Sequence, residues 1–191
     1  YAKPEDIKQY IGEAYFFRAY SYFDLLQLYG DVIITKKPLD ITDPEMKVKR
    51  NDRSEVVDLI IDDLNHAVEN LPAFKELTTE EEGRISKEGA QAFLSRVALY
   101  EGTWQKSRNG NQNTQRSANL LDIAAKAART VIDAKYGYTF RLFGTDSETK
   151  ILGDSAQKYM FILENEKSNP AGIKKSSNHE YIFARRHDQV L

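Results

Sequence analysis

The residues that could do chemistry in this chain are 29 carboxylates, three histidines and a single tryptophan. Hydrolysis of a glycosidic bond needs two carboxylates facing one pocket across a set gap. The densest acidic runs, Asp62-Asp63 and Glu80-Glu81-Glu82, are consecutive in sequence. Consecutive residues on a helix point to different faces, so these runs read as solvated charge and no catalytic residue is assigned. His66, His179 and His187 never stand at the i, i+4 spacing of a helical metal pair. With no cysteine there is also no thiolate ligand, no disulfide and no Cys nucleophile. No metal and no cofactor is therefore expected. The phosphate-cradling and nucleotide-binding glycine motifs are absent, as is the GxSxG nucleophile elbow.

What could hold a sugar is Trp104 and the amide-rich stretch after it, with Asn109, Asn111, Gln112 and Asn113. A sugar stacks its apolar C–H face on an aromatic ring, and amides bond its hydroxyls. A competing account has Trp104 closing the apolar face of its own helix, one turn past Tyr100. That account is favoured, because large aromatics are usually buried. Arg18 lies on the apolar stripe of another helix, and a buried guanidinium must be paired. Asp31, Asp62 and Asp63 are its expected partners, in a structural role. Gly30 is the expected stop of that helix.

These residues sit on four expected helices, spanning about 5–29, 54–71, 86–104 and 117–135. In the first, Pro4 suits an opening turn. Its apolar residues form two stripes, one through Ile7, Ile11, Ala14, Arg18, Tyr22, Leu25 and Tyr29, the other through Phe16, Tyr20 and Phe23. Little polar face is left, which predicts burial on several sides. Asp52 or Ser54 is placed to cap the second helix and Ser86 the third. Gly89, Ala92 and Ser95 are small enough to admit a neighbouring helix, and Gly137 is the expected stop of the fourth.

Four amphipathic helices in sequence suggest two hairpins stacked in the manner of tetratricopeptide repeats. A true repeat fits two helices into about 34 residues, whereas each interval here holds one helix and a long loop, so no regular array is assigned. The fold class expected is mainly α, with long loops and a few short β-strands at 32–34, 138–143 and 180–186. Residues 154–165 suit a strand or a helix. The expected division is a helical scaffold over 1–135 and a loop-rich part over 136–191 that is incomplete at its C-terminal end.

The 191 residues, 29% charged and 41% hydrophobic, are ordinary globular composition. A net charge of −2 supplies no field for nucleic acid, and Lys174-Lys175 and Arg185-Arg186 read as isolated surface pairs. No apolar run is long enough to span a membrane. The chain opens on Tyr1 without an initiator Met, so it is taken as a piece of a longer protein.

Four ordered blocks then resemble the SusD/RagB family of bacterial surface glycan-binding lipoproteins. The first runs Glu13-Ala14, Phe17-Arg18-Ala19, Tyr22-Phe23-Asp24-Leu25 and Tyr29-Gly30-Asp31-Val32. The second runs Arg53-Ser54, Ile60-Ile61-Asp62-Asp63-Leu64 and Leu71-Pro72. The third runs Gly83-Arg84-Ile85-Ser86-Lys87 through Val97-Ala98-Leu99-Tyr100 to Thr103-Trp104. The fourth is Asn178-His179-Glu180-Tyr181-Ile182-Phe183. Ile33 stands where the family usually has Pro, a local loop change. The resemblance implies a non-enzymatic protein that binds an oligosaccharide or other nutrient and delivers it to a SusC-like, TonB-dependent outer-membrane β-barrel, which it caps as a lid. It further implies a cell-surface location, held by an N-terminal lipid outside this segment, with many ligand-contacting loops also outside it. Two rivals are a tetratricopeptide-like protein-interaction scaffold and a carbohydrate-active enzyme.

Overall fold

The computed structural model describes residues 4–81, 83–108, 114–163, 165 and 167–184. Four long helices carry the fold: α1 (Pro4–Tyr29), α2 (Arg53–Asn70), α3 (Lys87–Arg108) and α4 (Thr114–Ile132), followed by a short α5 (Ala156–Met160). α1 packs on α2 and α3 on α4 as two hairpins, and α2 against α3 joins them.

The periodicity of α1 explains how it docks. Gly12, Phe16, Ala19, Phe23 and Leu26 are all buried. Their steps of four and three put them in one seam. Gly12 is needed there, since a Cβ would lie 2.9 Å from the Leu71 side chain. Val56, Val57, Ile60, Leu64 and Ala67 of α2 complete that core. Between α3 and α4 the close approach falls at Gly102, where a Cβ would meet Leu121 at 3.0 Å. The Ser117 hydroxyl donates to the Gly102 carbonyl at 2.8 Å, and the Ser95 hydroxyl to the Ala124 carbonyl at 2.9 Å. Ser95 thus faces α4, while Gly89 makes room for Ile85.

The helix ends follow from local chemistry. Gly30 adopts φ +71, and its N–H reaches the Leu26 carbonyl at 3.0 Å, the left-handed stop that glycine permits. The next residue, Asp31, accepts the Arg53 N–H at 2.9 Å. Glu55 accepts the Asp52 N–H at 3.1 Å, and both carboxylates favour the positive end of α2. The long 30–52 connection is tied down by Tyr22, whose hydroxyl accepts the Thr35 N–H at 2.7 Å.

Three expectations need correction. First, among the described residues no strand forms. Val32 makes one isolated antiparallel bridge with Asn51. Within 138–143 the backbone donors go elsewhere than a ladder: Arg141 N–H to the His179 carbonyl at 3.0 Å, Phe143 N–H to the Glu180 carboxylate at 2.9 Å. Of 180–186, the last two residues lie outside the described residues. Second, two helix ends move, while 154–165, read as strand or helix, holds α5 and then a turn at Phe161. α3 runs to Arg108, past the expected end, while α4 stops at Ile132, where Ala134 takes φ +52. Third, α1 is not buried on several sides: Ile7, Tyr10, Phe17 and Leu28 are exposed.

Beyond α4, a smaller cluster of Phe143, Leu152, Ala156, Leu163 and Ile173 forms its own buried core. Phe183 leads back toward the helices, its ring 6.1 Å from that of Phe16.

Candidate ligand-binding surface

The end of α3 and the starts of α2 and α4 meet at one end of the helical layers, and Trp104 lies there, half-buried. Its ring stacks on Tyr100, with centroids 6.1 Å apart. The guanidinium carbons of Arg53 and Arg108 stand 4.3 and 4.5 Å from its centroid, within cation–π range. Arg53 is held in place from the other side. Its Nε and Nη2 donate to Glu101 at 2.9 and 2.8 Å, and Glu101 is fully buried. Gln105 adds a bond to the same carboxylate at 2.6 Å. Trp104 is therefore neither a plain core residue nor an open platform. Its stacking surface is shared with two cations, one of them, Arg108, on an exposed residue. Asn109, Asn111 and Asn113, with Gln112, lie outside the described residues.

Beside this corner runs an open groove of about 610 Å³ between α2 and α4. Asp58, Asp62 and Asn65 line it from α2, and Gln115, Arg116 and Asn119 from α4, over Ile61 and Leu120. Arg116 spans the groove, donating to Asp58 at 2.8 Å and to the Ser54 carbonyl at 3.0 Å. Gln115 bonds Asn119 at 2.8 Å. These amides, carboxylates and one guanidinium are hydrogen-bonding groups suited to sugar hydroxyls. The sequence reading passed over Asn65, Gln115, Arg116 and Asn119. Their signal was present as helical spacing, since 58, 62 and 65 share one face of α2 and 115 and 119 one face of α4. The groove does hold two carboxylates. Asp58, however, is engaged by Arg116, and the Asp62 side chain is 69% exposed, whereas a general acid is made by desolvation.

The residues read as structural occupy separate places. Arg18 donates from Nε and Nη2 to the two oxygens of Asp63 at 2.7 and 2.5 Å, bridging α1 to α2. Asp63 is fully buried, and its hydrogen bond is the main reason the Arg18 guanidinium is pushed above its ordinary value. Asp62 stands instead at the groove rim, with the His66 Nε2 at 3.7 Å. Asp31 serves the start of α2 and Gly30 the end of α1, as described above.

The last sequence block forms a strap. His179 bonds the Tyr138 hydroxyl at 2.6 Å, and burial pushes that phenol up. Phe74, Tyr138 and Phe140 pack as an aromatic group around it. Among the described residues no cluster of His, Asp or Glu converges as metal ligands, and no helix is long and apolar enough to cross a membrane.

A family model of SusD-like type, described as starch-binding and associating with the outer membrane, matches residues 1–99, just over half the chain. A SusD-like protein of Formosa agariphila is 37% identical over 93 residues, which is 48% of this chain and 17% of that protein. A SusD-like protein of Bacteroides fragilis superposes with a TM-score of 0.67 at 25% identity, over 99% of this chain and 29% of that one. A laminarin-binding SusD-like protein superposes with a TM-score of 0.56 at 25% identity, over 81% of this chain and 30% of that one. The chain thus spans less than a third of the length of each of these proteins.

Proposed function

This chain belongs to the SusD-like family, and from that premise we propose that its parent protein captures an oligosaccharide or other nutrient at the outer membrane without breaking a bond. The parent then passes its ligand to a SusC-like, TonB-dependent β-barrel, and a lipid outside this segment anchors it at the cell surface. The observation that carries the reading is the match of residues 1–99 to a family described as starch-binding. The geometry agrees with reversible capture. The groove offers donors and acceptors at fixed spacing on two helices, and rigid elements hold such groups more accurately than loops.

Within this segment the sugar-facing surface is the α2–α4 groove and the adjoining Trp104 corner. Asn65, Gln115 and Asn119 meet hydroxyls there. Trp104 offers a ring face once Arg108, on its exposed residue, swings aside. Asn109, Asn111 and Asn113, candidates from the sequence alone, are proposed as further ligand contacts. A second reading, a helical scaffold for a peptide, is favoured by the same groove, because stacked helical hairpins commonly bind extended partners.

Affinity electrophoresis of the full-length parent in gels holding soluble polysaccharides separates the two, with laminarin the first probe. Retardation is expected. Asn119→Ala should weaken it about five-fold, the loss of one hydrogen bond of about 1 kcal/mol. A folded parent that no glycan retards contradicts capture and leaves the peptide scaffold. For the anchor, mass spectrometry of membrane fractions should find a diacylated cysteine at the mature start. A soluble, unlipidated parent contradicts that part alone.

A further inference from the structure

The arginines that tie the elements together each grip a carboxylate: Arg18 with Asp63, Arg53 with Glu101, Arg84 with Glu13 and Arg116 with Asp58. Arg108 grips none among the described residues, and its guanidinium lies on the Trp104 ring instead. Residues 109–113 carry no charge, and α4 has no acidic residue before Asp122. Glu101, on the same helix as Arg108, is committed to Arg53 and Gln105. Lys106, in the same last turn, is a second exposed cation. At the start of α2, Glu55 is held by the Asn51 amide and the Asp52 N–H, both at 3.1 Å, and Asp58 by Arg116. Asp52 is exposed, next to the exposed Lys49 and Arg50. Asp62 is the exposed acid of the groove. From residue 53 to 62 the axis of α2 rises about 13 Å, more than the roughly 8 Å over which salt screens a charge. The Trp104 corner therefore holds uncompensated positive charge in a chain whose net charge is −2.

The two guanidiniums on Trp104 differ in what holds them. Arg53 is locked, since its Nε and Nη2 bond Glu101 and its Nη1 donates to the Leu26 carbonyl at 3.3 Å. Arg108 is exposed, on the last residue of α3, and is free to turn away. A neutral sugar that stacks on Trp104 must displace Arg108 from the ring and gives nothing back for the lost cation–π contact. A sugar that carries an anion replaces that contact with a bidentate, charge-assisted pair, for which the planar guanidinium fork is shaped. Its ring then takes the indole face that Arg108 has left. We infer that the ligand is an acidic glycan, one bearing a carboxylate or a sulfate, and that Arg108 selects it by pairing with that anion beside Trp104. The acidic unit lies at the corner and neutral units run along the groove toward Asp62. The inference rests on the sugar-capture reading and adds the charge of the ligand to it.

The test is affinity electrophoresis of the full-length parent at physiological salt, with two pairs of polymers that differ within each pair in charge. One pair is polygalacturonate and its methyl ester, the other dextran sulfate and dextran, with laminarin alongside. Retardation about ten-fold stronger by the charged member of a pair is expected, the usual worth of a hydrogen bond to a charged group. A preference for polygalacturonate identifies the anion as a carboxylate, and one for dextran sulfate as a sulfate. Arg108→Gln, at an exposed helix end where the fold tolerates it, should reduce that preference about ten-fold. Equal retardation within both pairs, or a preference that Arg108→Gln leaves intact, overturns the inference. Sugar capture survives that result if laminarin or another neutral polymer retards the parent. A folded parent that no polymer retards overturns capture and the inference together.

Discussion

The helical layers and the part beyond them solve the same problem by different means. In α1 to α4 the backbone satisfies itself, and side chains are free to pack at helical spacing around Phe16, Leu26, Ile60, Leu64 and Leu94. From 136 onward, side chains take over the backbone's partners. Asp146 accepts from Glu148 and Thr149 at 2.9 and 2.8 Å. Asn169 both accepts from and donates to Ile173 at 2.9 and 2.7 Å, and Glu180 accepts from Phe143. The first region spends its apolar residues on one large core. The second spends polar residues on turns and, among the described residues, keeps a core of five buried side chains. The first should therefore be the stability reserve of this chain, and the second the region that opens first.

The sharpest way to break that comparison is to strand a buried charge in the helical layers. Arg53→Met leaves Glu101 fully buried without its guanidinium. A loss of about 3–5 kcal/mol is expected, read as a lower denaturant midpoint at unchanged slope. Arg18→Met strands Asp63 in the same way, but the Arg18 side chain is 33% exposed. Its loss should be nearer 2–3 kcal/mol once solvent screening is allowed for, with glycan retention unchanged in the folded protein.

Two fully buried leucines compare the regions directly. Leu64→Ala should cost about 4 kcal/mol and Leu163→Ala about 2, both within the usual cavity range, since the smaller cluster can relax around the void. Hydrogen exchange should then show Leu163→Ala opening 143–173 alone. Equal costs, or global opening from Leu163→Ala, would mean that the two regions form one cooperative unit.

A smaller effect is expected at Asp146. Burial pushes its carboxyl up, yet the Thr149 and Glu148 hydrogen bonds outweigh this and hold it below the usual range. A carboxyl depressed in the folded state contributes stability above its unfolded value of about 3.9, and loses it as pH falls through the lower, folded value. Asp146→Asn should flatten the acid side of the stability curve by about 1 kcal/mol. An unchanged acid limb would remove the side-chain account of this turn.

How much could be read beforehand follows the same divide. The four helices were legible because their apolar steps persist over many turns, and Gly30 because only a left-handed stop needs it. The seam of α1 was misread. Both of its faces are apolar, and nothing in periodicity says which one this segment fills. The strands at 138–143 and 180–186 were expected from local sequence pattern, which cannot register that Glu180 and His179 take backbone donors a ladder would have used. Arg18 pointed to Asp31, Asp62 or Asp63, but only the packing of α1 on α2 selects Asp63. The Arg53–Trp104–Arg108 stack was illegible, since it joins residues about fifty positions apart. The groove amides were visible as helical spacing and were passed over because each alone resembles ordinary surface.

Calorimetric titration of the full-length parent with oligosaccharides, with reducing ends assayed on the same samples, tests the central claim most directly. Saturable binding with no new reducing ends is the predicted result. Release of reducing ends, or no saturable heat with any glycan while the fold is intact, would contradict it.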